Sequence, residues 1–171
     1  MTLDELKKIM PHAGNRAEAF HPHLLTAMDE YQINTPERQA SFLAQIAHES
    51  GSLRYVKELA SGEAYEGRKD LGNLYEGDGV RYKGRGLVQI TGRSNYRDCG
   101  LALGADLLHR PELLETPELA CKSAAWFWWS KGLNEIADKG DFKLITKRIN
   151  GGYNGYQDRL AYYERAQQVL G

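Results

Sequence analysis

Cysteine is scarce in this 171-residue chain, and the little there is carries no pattern. Cys99 and Cys121 are too few for a disulfide framework and have no metal-ligand spacing. They read as two buried thiols made in a reducing cytoplasm, with a single bridge left open. Charge of one sign is also lacking, since 22 Lys and Arg against 23 Asp and Glu leave a net charge of −1. No broad basic field exists to grip nucleic acid or to hold the chain stably on an anionic membrane, so neither partner is expected. Long apolar runs are missing as well. The longest aromatic stretch, Ala124-Ala125-Trp126-Phe127-Trp128-Trp129, falls far short of the ~18 residues of a membrane span. The start, Met1-Thr2-Leu3-Asp4-Glu5-Leu6, has no basic segment followed by an apolar one, so no classical signal peptide is read there. His12, His21 and His23 lack helical ligand spacing and read as surface histidines, so no metal is expected.

What remains is the composition of an ordinary globular domain, 42% hydrophobic and 26% charged, long enough for one core over residues 1–171. A monomer is the default. Helix signals recur along the chain. Thr2 and Glu5 form a capping box, and Asn15 with Glu18 repeats the pattern. Pro22 is expected to precede a helix from about His23 to Tyr31. Further helices are expected near Asn95, over 118–129, after Asp141 to about Asn150, and over about 157–170. Between Gly51 and Gly92, nine glycines interrupt the helical texture. Such density predicts turns, a short hairpin and close backbone approach to a ligand.

The stretch with the clearest chemistry is Thr35 to Gly51. Thr35 is an N-cap, Pro36 suits the first helical position, and Gly51 can take the positive φ that ends the helix. Phe42, Ile46 and Glu49 share one stripe at 3.6 residues per turn. A carboxylate is thus aimed at the apolar side in the last turn, where burial and the helix dipole both favour the protonated form a general acid needs. Glu58 lies nine residues on, past the turn at Gly51. Two carboxyls facing each other across a cleft would suit inverting glycoside hydrolysis, with a water between base and sugar. Glu63, Glu66, Asp70 and Asp78 are rival second carboxylates. Other chemistries fail on spacing. His48-Glu49 has no second His where a zinc protease needs one, no Gly-x-Ser-x-Gly elbow exists, and the glycines match neither phosphate-loop nor dinucleotide patterns, so no cofactor is expected.

Ala47-His48-Glu49-Ser50-Gly51, then Tyr82-Lys83-Gly84-Arg85-Gly86-Leu87-Val88-Gln89-Ile90-Thr91-Gly92 and Asn95-Tyr96, resembles the family 19 glycoside hydrolases, the plant-type chitinases and their phage and bacterial relatives. Ile149-Asn150-Gly151-Gly152 and Asp158-Arg159 resemble the family's later motifs, in the same order. The resemblance implies a mainly α, lysozyme-like fold with two lobes around a substrate cleft. Glu49 matches the general acid and Glu58 the general base, and Thr91 matches a hydroxyl that holds the attacking water. Tyr82, Gln89, Asn95 and Asn150 match cleft-lining positions. Arg159 matches an arginine that pairs with catalytic carboxylates and keeps the base ionised. The Glu49–Glu58 segment is shorter than in plant chitinases, which keeps Glu66 in play as base. The chain is most similar to phage endolysins of the family. That likeness implies hydrolysis of β-1,4 bonds in peptidoglycan glycan strands, synthesis in a host cytoplasm, and release to the cell wall through a lesion made by a holin-type membrane protein. A chitinase, a lytic transglycosylase and a non-catalytic wall-binding module are the alternatives.

Overall fold

The computed structural model describes all of residues 1–171 and is almost wholly helical. The helices are α1 (Leu3–Ile9), α2 (Arg16–Glu30), α3 (Pro36–Ser50), α4 (Asp78–Arg81), α5 (Arg93–Leu103), α6 (Pro117–Ser130), α7 (Leu133–Asp138), α8 (Phe142–Asn150) and α9 (Tyr156–Leu170). Local chemistry sets several of these boundaries as expected. The Thr2 hydroxyl accepts from the Glu5 N–H while the Glu5 carboxylate accepts from the Thr2 N–H. Thr35, Thr116 and Asp141 cap α3, α6 and α8.

Two boundaries differ from the sequence reading. α2 does not begin after Pro22 but runs through it from Arg16. A proline inside a helix costs ~3 kcal/mol, but stopping there would expose Ala17 and Phe20, both buried in the core. Packing outweighs the local preference. Asn15 precedes the helix without making a side-chain cap, its own backbone being already helical. The second difference is α7, a six-residue helix started by Gly132 at φ +67, where no helix was expected.

Two separate hydrophobic cores make two lobes. The larger gathers 29 buried residues from α1, α2, α3, α6, α7, α8 and α9, with Leu53 and Leu87 from the intervening loops. At its centre Phe42 meets Trp128 edge-on at 5.5 Å. The Trp128 indole N–H donates to Asn134 Oδ1 at 2.9 Å. The smaller core holds Tyr82, Ile90, Tyr96, Cys99, Leu107 and Leu114. α6 divides the two. Ala120, Cys121, Ala124 and Trp128 face the large core, while Leu119, Trp126 and Phe127 lean on the small one. Both cysteines are buried and unpaired, and burial pushes the Cys99 thiol up to about 12 and the Cys121 thiol up as well.

The glycine-rich region forms two 3₁₀ turns, α4 and a minimal ladder rather than a full hairpin. Arg85 bridges Lys57 on one side and Ile90 on the other, both antiparallel. No helix is long and apolar enough to cross a membrane.

Candidate active site

The site starts where α3 stops. Gly51, Ser52 and Leu53 all take positive φ, at +58, +59 and +69. For Ser52 and Leu53 that left-handed backbone costs roughly 1–2 kcal/mol each. Several contacts hold it. The Leu53 N–H donates to Ser50 Oγ at 2.9 Å, the Ser52 N–H donates to the Ala47 carbonyl at 2.8 Å, and the Ser52 and Tyr162 hydroxyls bond at 2.7 Å. The chain thereby reverses in three residues and reaches the Gly84–Arg85 ladder by Lys57 and Glu58. Strained backbone held in place by its surroundings is typical of sites where geometry matters.

Glu49 sits on the large-lobe side of that reversal, half-buried, with its Oε1 2.7 Å from Nη2 of Arg159. Arg159 is 2% exposed, and its other nitrogens are also committed. Nε donates to the Asn154 carbonyl at 3.1 Å and Nη1 donates to Gln45 Oε1 at 2.6 Å. Gln45, fully buried one helical turn before Glu49, passes its amide N–H to Thr146 Oγ1 at 3.0 Å. The stripe expected to aim Glu49 at apolar side chains is therefore polar where it matters. Next to this pair, His48 Nδ1 meets Asp158 at 2.7 Å, and the His48 ring lies flat against Gly155. A Cβ at Gly155 would fall 2.3 Å from the ring, so no other residue fits there.

Glu58 belongs to the other side. Its Oε1 accepts from the Gly84 N–H at 2.6 Å and its Oε2 from the Tyr65 hydroxyl at 3.0 Å, while its own N–H donates to the Gly84 carbonyl at 2.9 Å. Burial and the bond to Glu58 both push the Tyr65 phenol up, so it stays a donor. Gly84 is the hub: a Cβ there would stand 2.4 Å from Gln89 Oε1 and 3.2 Å from Thr91 Oγ1. Glu58, Gln89 and Thr91 therefore crowd around one glycine. Gln89 carries φ +57, another left-handed non-glycine residue.

Three of the four rival carboxylates are occupied with structure, and the fourth, Glu63, is exposed. Both Glu66 oxygens accept backbone N–H groups, from Gly77 at 2.9 Å and Gly79 at 2.8 Å. Asp78 is 1% exposed and gripped twice by Arg93, at 2.8 and 3.0 Å. Asp70 pairs with Arg68 at the surface.

Gln89, Thr91 and Asn95 come together on one wall of a cavity of about 250 Å³. Leu71, Ile90, Trp126, Phe127, Ser130 and Lys131 complete it. Asn95 donates to the Thr91 carbonyl at 2.8 Å. Trp128 is core, but Trp126 and Phe127 are half-buried and line the cavity. Asn150 ends α8, half-buried.

Two expectations need correction. Tyr82 does not line the cleft. It is 1% exposed, its hydroxyl donates to the Leu108 carbonyl at 2.7 Å, and its ring packs on Tyr96, inside the small core. Arg159 does not serve Glu58, since the packing of α9 along α3 delivers its guanidinium to Glu49. Sequence reasoning also missed Gln45, Tyr65 and Gly84. Gln45 left one signal, a polar residue spaced i, i+4 from Glu49 on an otherwise apolar helix.

The chitinase class I family model matches residues 15–139. The chain belongs to glycosyl hydrolase family 19. A glycosyl hydrolase family 19 domain-containing protein of Haemophilus influenzae is 30% identical over 188 aligned positions, covering 91% of this chain and 90% of that protein. An endochitinase of Arabidopsis thaliana is 36% identical over 153 positions, covering 85% of this chain and 52% of that enzyme. The chain thus spans about half the length of that plant relative. The crystal structure of a bacterial family 19 chitinase superposes with a TM-score of 0.83 at 26% identity, over 99% of this chain and 94% of that one. The fold is the lysozyme-like fold of family 19, and this member is a chitinase-like glycosidase. The family model stops before α8 and α9, so Asn150 and Arg159 rest on the structural likeness, which extends over both helices.

Proposed function

We propose that this glycosidase is an endolysin that hydrolyses β-1,4 bonds in the glycan strands of peptidoglycan with inversion at the anomeric carbon. The observation that carries the mechanism is the division of two carboxylates between two kinds of partner, Glu49 against a buried guanidinium and Glu58 under two hydrogen-bond donors. Glu49 gives its proton to the glycosidic oxygen. The carboxylate left behind faces Arg159, whose charge stabilises it as it forms. Glu58, accepting at both oxygens, takes a proton from water on the opposite face of the sugar. Thr91, close to Gly84 beside Glu58, orients that water. Gln89, Asn95 and Asn150 meet sugar hydroxyl and acetamido groups.

The peptidoglycan assignment is supported by the motif likeness to phage endolysins. Chitin is the second reading, favoured by relatives described as endochitinases. Synthesis in a host cytoplasm, holin-assisted release and action as a monomer belong to the endolysin reading.

Purified peptidoglycan and chitin oligosaccharides, digested, reduced with borohydride and weighed by mass spectrometry, separate the readings. Reducing-end muropeptides support hydrolysis, anhydro products mean a transglycosylase, and binding without products means a wall-binding module. Glu49→Gln and Glu58→Gln should each lower kcat at least 100-fold, whereas Glu66→Gln should act on stability. A larger kcat loss in Glu66→Gln would transfer the base role to Glu66.

A further inference from the structure

The cavity beside Thr91 carries one formal charge on its wall. Of its nine lining residues, only Lys131 is ionic, and the others are apolar, hydroxyl or amide side chains. Lys131 caps the C-terminus of α6, donating its N–H to the Phe127 carbonyl. A lysine there is ordinarily explained by the negative end of the helix dipole. Two further facts go beyond that explanation. Its ammonium is held 5.5 Å from the centroid of the Phe127 ring, and Phe127 is itself a wall of the cavity. Moreover, it pairs with no carboxylate, whereas Lys122 on the same helix pairs with both Glu118 and Glu30. The cation therefore lines a pocket that it shares with Gln89, Thr91 and Asn95, with no carboxylate of the protein paired to it.

We propose that Lys131 is a specificity-determining residue that meets a carboxylate carried by the glycan strand, either on the lactyl ether of a muramyl residue or on its stem peptide. This rests on the reading of the cavity as part of the sugar cleft and of peptidoglycan as the substrate. Chitin is a neutral polymer and offers nothing for the ammonium to bind. A muramyl strand presents carboxylates on alternate sugars, so a cation lining the same cavity as the hydroxyl and amide groups tells the two polymers apart. Gln89 and Asn95 serve both substrates, because both carry hydroxyl and acetamido groups. Lys131 serves only the charged one.

The test compares wild type with Lys131→Met, Lys131→Arg and Lys131→Glu on three substrates: intact peptidoglycan strands, strands freed of stem peptide by an amidase, and chitin oligosaccharides. Lys131 is exposed, so the variants should fold as wild type does. Lys131→Met should raise KM on intact strands about two- to fivefold with kcat unchanged, the range an exposed ion pair is worth. Lys131→Glu should raise it further, and Lys131→Arg should restore it. KM on chitin should not move, and the difference should shrink in high salt. An effect confined to intact strands assigns the carboxylate to the stem peptide, because there the lactyl carboxyl is tied up in the amide to that peptide. An effect that also appears on stem-free strands shows that Lys131 meets the lactyl carboxylate which the amidase releases. Equal KM changes on chitin and on peptidoglycan, or none on either, overturn the role of Lys131 while the endolysin reading stands. A wild-type enzyme that cuts chitin and leaves peptidoglycan whole overturns both.

Discussion

Replacing Gln45 with leucine tests whether the site is built from the core outward. Gln45 touches no substrate-facing surface; it is fully buried, accepting from Arg159 Nη1 at 2.6 Å and donating to Thr146 Oγ1 at 3.0 Å. Leucine nearly conserves the volume and removes both contacts. Losing a hydrogen bond to a charged group costs about 1.5–3 kcal/mol, because the buried guanidinium is left short of a partner. The Thr146 arm adds less, since that hydroxyl still donates to the Phe142 carbonyl at 3.2 Å. A net loss of about 2–3 kcal/mol should lower Tm by roughly 4–12 °C for a chain of this size. Well below that Tm the variant is folded, and kcat reads the geometry. Arg159 keeps the Asn154 carbonyl and Glu49, but it loses the contact that fixes its rotation. A fall in kcat of about tenfold, equivalent to about 1.4 kcal/mol in the barrier, is expected. Thr146→Val is the control: it cuts the network one step further away, leaves the buried Gln45 amide N–H without its acceptor, and should lower Tm by several degrees with kcat unchanged. A Gln45→Leu enzyme with wild-type kcat at 25 °C would show that Asn154 and Glu49 alone hold the guanidinium, and the argument would fail.

Gly84→Ala should damage activity more than stability. The new methyl would press on the end of the flexible Gln89 side chain, which can move, but moving it displaces Gln89 and crowds Thr91. A Tm within a few degrees of wild type with kcat/KM down at least tenfold is expected, and an active variant would refute the convergence on Gly84. The acid limb of stability should depend on Asp78. Its bonds to Arg93 hold its carboxyl below the usual range, so the stabilisation is present above the ordinary carboxylate value and is lost as pH falls through the depressed one. Between about pH 5 and pH 2, wild-type Tm should fall more steeply than that of Asp78→Asn. Parallel curves would assign the acid sensitivity to other groups.

What was legible in the chain was local. The caps of α3 follow from Thr35, Pro36 and Gly51, each acting within one turn of its own position, and the nine glycines of 51–92 announced the irregular backbone found there. Residue types in spaced motifs also singled out Glu49, Glu58, Gln89, Thr91 and Asn95, which the structure distributes among the reversal, Gly84 and one cavity. Burial was not legible from a motif. Tyr82 and Gln89 stand seven residues apart in the same stretch, yet one faces Leu108 inside the small core while the other lines the cavity. No pattern of neighbours separates them, because the ladder at Arg85 and the close backbone at Gly84 decide which side chain turns outward. Partnership was legible least of all. Whether Arg159 faces Glu49 or Glu58 depends on how α9 lies along α3, a contact between residues 110 apart. A second contact, His48 with Asp158, lies one residue earlier in each helix. Along the rest of α3 the partners run the other way, Gln45 meeting Arg159 and Glu37 meeting Tyr163. The helices therefore lie antiparallel, and their register brings the C-terminus of α3 to the N-terminus of α9. Gly155, which alone leaves room for the His48 ring, fixes that register at the start of α9. The charge beside Glu49 is thus set by a glycine that bears no charge and never meets the sugar.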